Sequence, residues 1–437
     1  MKNQVFTPLA IALTAVVLAV IWFCFAPGFM SYDSMVQYKT ALNQYYTDSN
    51  PAIMSYVWHL CLYLVSGPQS LLMLHLALLA AGILIWYGNM AQRGWALLIP
   101  AMCLLPWVVN FAGVLWKDVG MAFALLVATG LLYTRTKNWR VAALAIPFIF
   151  YASAVRHNAI LAIVPLIYCA LRHFWPTRSI VQMAILSVLL SATLPLATSV
   201  LSYNVLHAER KHFETLTMGD EVARIAFMTG ENLMPWVKPE DNAACSPLPI
   251  QYERAMCFVR KGYDPSGSLF AGMPHTQAHA LWKKTIFEHP LPYLQIKGGA
   301  FLYFLRSPTL EPYYAWHPGI MDNELGIKLD NPKLAHLMQA YVEGSQATPL
   351  GELFKPYSWL LLSIAMMVLG WRMQPSLERT QILALNASAL GYFLGYLASV
   401  PSADFRYIYW CIIATSLSII IWLAARAGLA KPKTSQT

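Results

Sequence analysis

From Phe6 to Phe25, and again from Ser179 to Leu201, no charged side chain interrupts an apolar run of bilayer-crossing length. About 20 residues of helix, rising ~1.5 Å each, cover the ~30 Å of hydrocarbon in a membrane. Backbone polar groups inside lipid must be satisfied within the segment itself, so such runs are helices. Only 12% of the residues are charged and 57% are hydrophobic. That is about half the charged share of a soluble domain, too little to clothe a water-facing surface. The expected fold class is an all-α polytopic membrane protein of about ten transmembrane helices.

Taken in order, the apolar runs predict spans at 5–27, 69–88, 95–113, 119–134, 141–155, 159–171, 179–203, 355–371, 381–399 and 408–425. The first follows Lys2 as a signal peptide would, but it is long and lacks a small-residue cleavage site, so it is expected to remain as a helix. Pro51 to Val65, opened by a proline and closed by Ser66-Gly67-Pro68, is short for a span and is expected to lie at the interface or to re-enter. With a cytoplasmic N-terminus, one set of loops holds Lys2, Arg93, Arg135, Lys137, Arg140, Arg172, Arg178, Arg372, Arg379, Arg426, Lys431 and Lys433. The opposite short loops hold only Lys39, Lys117, Arg156 and Arg406. Basic loops stay in the cytoplasm, which puts both termini inside. The localisation expected is a bacterial inner membrane.

The organisation that follows is a seven-helix module over 1–203 with an exterior loop at 28–68, an exterior, mainly helical domain over 204–354, further helices over 355–426 and a cytoplasmic tail over 427–437. The net charge of +9 raises the question of nucleic acid, but residues 206–355 hold 14 Lys/Arg against 16 Asp/Glu. The basicity belongs to the membrane loops, and no nucleic-acid groove is expected. Cys24, Cys61, Cys103, Cys169 and Cys411 lie in apolar runs and read as small buried hydrophobes. Cys245 and Cys257 lie together in the exterior segment and are expected to form one disulfide there.

Outside that segment the acids are Asp33, Asp48, Asp118, Glu378 and Asp404, and all but Glu378 fall on the outer face. They sit in or near the clusters Ser31-Tyr32-Asp33-Ser34, Trp116-Lys117-Asp118, Arg156-His157-Asn158 and Asp404-Phe405-Arg406-Tyr407. Any one of these is readable as a cap or a snorkelling anchor. Four on one face, pairing acids with bases beside aromatics, point to a polar site at the outer interface.

An uncharged first helix, the exterior stretch from Ser31 through Asp33 to Gln37 and an interfacial helix opening at Asn50-Pro51 resemble the start of the GT-C membrane glycosyltransferases. That group includes protein O-mannosyltransferases, oligosaccharyltransferases and lipid A aminoarabinose transferases. Trp116-Lys117-Asp118, Arg156-His157-Asn158 and Phe405-Arg406-Tyr407 resemble further motifs of its bacterial members. The likeness covers residues 1–175 and 380–425; in the exterior segment it rests only on Trp282, His289-Pro290 and Tyr293. Where the family often has His-Pro this chain has Asn50-Pro51.

The resemblance implies a GT-C-like bundle in which a sugar moves from a polyprenyl-phosphate donor to an acceptor hydroxyl or amine on an envelope glycan or glycolipid. The expected partners are therefore the lipid-linked sugar, its acceptor and membrane lipid. A carboxylate near the acceptor serves as general base, with Asp33 the first choice and Asp118 the second, Asp118 otherwise orienting the acceptor or holding Lys117. The rival role for Asp33 is to cap a helix beginning near Ser34. Arg406, Lys117 and Arg156 are candidates for the donor phosphate. Tyr32, Gln37, His157, Asn158, Asp404 and Tyr407 are candidates for substrate contact, and Trp236, Trp282, Tyr313, Tyr314 and Trp316 for stacking on sugars. No cofactor is expected; a divalent metal through Asp33 and Asp118, as in the oligosaccharyltransferase branch, is the one exception to consider. Competing readings are a transporter or flippase of lipid-linked sugars, an O-antigen ligase or polymerase, and an assembly role without chemistry.

Overall fold

A computed structural model describes residues 7–306 and 308–429. Lys2, Lys431, Lys433 and most of the expected tail lie outside these residues. The described chain is helical and contains no strand, only isolated bridges. Each apolar run is helical, although not all are long. Six helices have the length and apolarity to cross a membrane: Pro8–Phe25, Gln69–Asn89, His157–Phe174, Ile180–Val205, Leu377–Ala398 and Phe405–Gly428. A seventh crossing exists if Arg93–Met102 and Pro106–Ala112, bent by 55°, form one span. The bend falls where Pro106 opens the second piece, since proline lacks the N–H that would continue the first. Trp139–Val155 and Pro356–Trp371 are shorter apolar helices, and so is Ala52–Leu62. At 11 residues the last is too short to cross.

The centre of the bundle is Lys117–Leu132, in which every residue from Asp118 to Leu132 is buried. Its glycines and alanines let neighbours approach from all sides, as a helix that is apolar all round requires. By contrast Pro8–Phe25 buries only Ala10, Thr14, Val17, Ile21 and Phe25, one stripe at three- and four-residue spacing. The rest of that helix faces outward and is apolar, the pattern of a lipid-facing helix.

Leu377–Ala398 crosses His157–Phe174 at close range. A Cβ at Gly391 would stand 2.1 Å from the carbonyl oxygen of Leu161, and one at Gly395 would stand 3.3 Å from Asn158 Cβ. Gly391-Tyr392-Phe393-Leu394-Gly395 is thus a small-xxx-small contact, which lets two helix backbones touch.

Residues 204–354 form two parts rather than one domain. Residues from Met218 to Trp282 build a small core of their own, which includes Cys245. Cys245 and Cys257 are joined, with Cα atoms 5.5 Å apart. Residues from Phe304 to Phe354, through Tyr313, Trp316 and Val342, belong instead to the core of the helix bundle. Trp316 is buried against Phe25 and Phe29, at ring distances of 5.1 and 5.3 Å. Tyr313 donates to the Phe304 carbonyl at 3.0 Å and Trp282 to Glu221 at 2.7 Å. These three aromatics, candidates for stacking on a sugar, are held in packing contacts. Trp236 donates to the Leu269 carbonyl at 2.9 Å but keeps an exposed face.

Candidate active site

Backbone pairing brings the distant motifs together. After the first helix the chain passes between two non-helical stretches: Phe29 N–H donates to Gly113 O and Leu115 N–H to Phe29 O, while Met30 N–H donates to Gly319 O and Met321 N–H to Met30 O. Ser31 then ties down the neighbouring indole, because Trp116 Nε1 donates to its hydroxyl at 2.8 Å. Ser34 donates to the Leu115 carbonyl at 2.9 Å. Tyr32–Asn43 therefore starts beside Lys117–Leu132, with Asp33 in its first turn. Asp33 is not the cap of that helix; Ser31 holds the cap position.

Asp118 is fully buried at the start of the central helix. Arg156 Nε lies 3.0 Å from one of its carboxylate oxygens and Arg406 Nε 4.0 Å from the other. Among the described residues neither oxygen makes a hydrogen bond, nor does either Nε, so the contacts are ion pairs with unfilled hydrogen-bonding capacity. Arg406 also reaches Asp404 at 2.9 Å and Asp33 at 3.4 Å, and its guanidinium lies 4.3 Å over the Trp116 ring. It stands between Asp33 and Asp118. Arg156 donates to Tyr396 Oη at 3.1 Å and lies 4.7 Å over the Tyr407 ring.

Lys117 differs from the other two cations. Among the described residues its ammonium has no ion-pair or hydrogen-bond partner, and it faces a cavity of about 230 Å³ shared with Asp48, Arg156, His157 and Asn158. Burial, and then the charge of Arg156, lower its pKa to about 8. Burial raises the Asp404 carboxyl above the usual carboxylate range even though Arg406 pulls it down.

Not every candidate joins this cluster. Tyr32 is 71% exposed. Gln37 is buried and donates to Asn50 Oδ1 at 3.1 Å, so it braces the loop before Ala52–Leu62. Tyr407 contributes its ring face as a platform; its hydroxyl is engaged with Ser402 at 2.8 Å. Asp48 accepts from Tyr203 Oη at 3.1 Å and from Lys211 N–H at 2.7 Å, which ties the cavity wall to the start of the segment 204–354. The Lys297 ammonium lies over the Tyr293 ring and Trp282 donates to Glu221, contacts made within the segment 204–354 itself.

Tyr314, a candidate for stacking on a sugar, reaches the cluster through its hydroxyl instead, and His317 arrives with no motif to mark it. Tyr314 donates to Asp404 Oδ2 at 3.0 Å. His317, buried, lies edge-on to Trp116 with ring centroids 5.0 Å apart. Its Nδ1 accepts from Gly319 N–H at 3.2 Å. Burial, with Arg406 nearby, lowers its pKa to about 4, so it is neutral at pH 7. Tyr396, the partner of Arg156, had a signal in the sequence: it follows Gly395 of the small-xxx-small contact. Among the described residues no three His, Cys, Asp or Glu gather in a way that would hold a metal ion.

Neither protein-family models nor curated proteins match this chain.

Proposed function

We propose that this protein is a polyprenyl-phosphate-sugar-dependent glycosyltransferase of the GT-C type, with about ten membrane helices and its site on the outer face of a bacterial inner membrane. The observation that carries the reading is the meeting of Asp33, Asp118 and Asp404 with Lys117, Arg156 and Arg406, from four separate stretches of chain, at one end of the bundle. A purely structural set of ion pairs would leave no cation free, yet Lys117 faces a cavity without a partner. The chemistry follows from that asymmetry. The phosphate of the donor sits against Lys117 and Arg156, while Arg406 holds Asp33 in place. As the acceptor oxygen attacks the anomeric carbon, its proton passes to Asp33, and the sugar–phosphate bond breaks with the electron pair leaving on polyprenyl phosphate. Lys117 and Arg156 neutralise the charge on that leaving group close to lipid.

The test uses the full chain in nanodiscs with a polyprenyl-phosphate sugar, reading release of free polyprenyl phosphate. Release that requires Asp33 and Lys117 supports the assignment. Movement of intact lipid-linked sugar across vesicles without release would replace it with a flippase.

A further inference from the structure

The opposite end of the bundle carries a second charged site. Leu377–Ala398 and Phe405–Gly428 run from one end to the other: Tyr396 and Arg406 lie in the acid–base cluster, whereas Glu378 and Arg426 lie at the far end. A helix of about 22 residues separates them by roughly 33 Å. There a cavity of about 390 Å³ opens between the two helices, the turn at Met90–Gln92 and the turn after Trp371.

Arg135, Arg372 and Arg426 all line it, with Glu378 as its one acid. Arg135 is already engaged, with Glu378 at 2.7 Å and with the Asn89 carbonyl at 2.6 Å. Arg372 and Arg426 are both exposed, and among the described residues neither guanidinium has an ion-pair or hydrogen-bond partner. Arg426 lies 5.3 Å over the Trp422 ring, so neither guanidinium is met by an acid, and two positive charges without an anionic partner face one concavity, whose remaining wall includes Met90, Ile421 and Ala424.

Arg372 is shared with a second, apolar groove of about 250 Å³ formed by Met367, Val368 and Trp371 on the outside of Pro356–Trp371. Trp371 is 72% exposed. An exposed tryptophan beside an arginine at a helix end is the usual mark of the membrane–water interface. A basic cavity at headgroup depth and an apolar groove running away from it along a lipid-facing helix, joined at one arginine, match a molecule with an anionic head and an acyl tail.

We propose that this cavity binds an anionic phospholipid of the adjacent leaflet, its phosphate between Arg372 and Arg426 and one acyl chain along Met367, Val368 and Trp371. Basic pockets between membrane helices select such headgroups by charge. The proposal rests on these helices spanning a membrane and is independent of the transferase reaction. The segment 430–437, which begins two residues beyond Gly428 at the rim, carries Lys431 and Lys433, and its charge disfavours it as the occupant.

The experiment is native mass spectrometry of the full chain released from detergent, titrated with phosphatidylglycerol or with phosphatidylcholine. Wild type is expected to retain phosphatidylglycerol in preference, and Arg372→Ala/Arg426→Ala to lose about tenfold or more of that retention. Arg372→Gln alone, whose native side chain supports nothing in the fold, should lose part of it. Arg178→Ala, outside the cavity, should lose none. Equal retention in the double variant, or no preference over phosphatidylcholine, would overturn the proposal. So would displacement of the lipid by free glycerol 3-phosphate at equal concentration, which would indicate a soluble anion. Loss of retention on deleting 430–437 would move the binding to the tail and overturn it as well.

Discussion

Asp33 and Asp118 are both carboxylates beside Arg406, and their environments give them different duties. Asp33 is 41% exposed at its side chain and Asp118 not at all. Asp33→Asn should leave expression and thermal stability near wild type while turnover falls by about 100-fold or more, the usual share of a general base. Near-normal turnover in that variant would return Asp33 to the role of a partner for Arg406. Asp118→Asn should behave otherwise, because it leaves Arg156 and Arg406 facing each other without the central negative charge. Removing one partner of a buried pair costs about 3–5 kcal/mol, so a lowered unfolding midpoint should accompany its loss of activity. Lys117 supplies a pH test. Unbound, it is charged below about pH 8 and neutral above, since burial favours the neutral amine. A bound phosphate favours the charged form, so donor affinity should fall as pH rises through 8. Lys117→Arg should remove that dependence, because a guanidinium stays charged throughout. Donor binding measured from pH 7 to pH 9 checks both.

At the scale of elements, the contact that matters most for the site is Leu377–Ala398 against His157–Phe174. It sets Tyr396 beside Arg156, and Gly391 permits it by leaving room for the Leu161 carbonyl. Gly391→Ala should push the two backbones apart and cost about 1–3 kcal/mol, read as a lowered unfolding midpoint. Activity should fall with it, through displacement of Arg156. An unchanged midpoint would mean that the helices part without penalty. The positions of helices were legible in the sequence because hydropathy is a local property: most apolar runs are helices within a few residues of their expected limits, whereas 95–113 is broken into short pieces and 141–155 into two. Ala52–Leu62 was legible as a non-spanning piece from its length and its flanking prolines. The 55° bend after Met102 and the division of residues 204–354 into a separate core and a part fused to the bundle were not. Both depend on which surfaces find each other, and no window of sequence contains that.

For the whole molecule the question is sidedness. Reporter fusions near residue 260 should lie outside and fusions near 137, 176 and 375 inside, as the distribution of basic loops requires. A cytoplasmic signal at 260 would put the acid–base cluster on the wrong face for an exterior acceptor. The disulfide gives an independent reading: Cys245 and Cys257 should resist alkylation until reductant is added, because such bonds persist only in an oxidising compartment. The apolar runs of membrane-crossing length, the helical class and the gathering of charged motifs at loop ends were determined by the sequence alone, since apolar runs and isolated charges speak residue by residue. The partners were decided by tertiary structure. Asp118 pairs with Arg156 and Arg406 rather than with adjacent Lys117, Asp33 reaches Arg406 from a sequence separation of 373, and Tyr314 and His317 enter from the segment 204–354. Charge pairing acts over a few ångströms of space, and which residues come that close is set by the Phe29–Met30 backbone pairing and by helix packing, not by position along the chain.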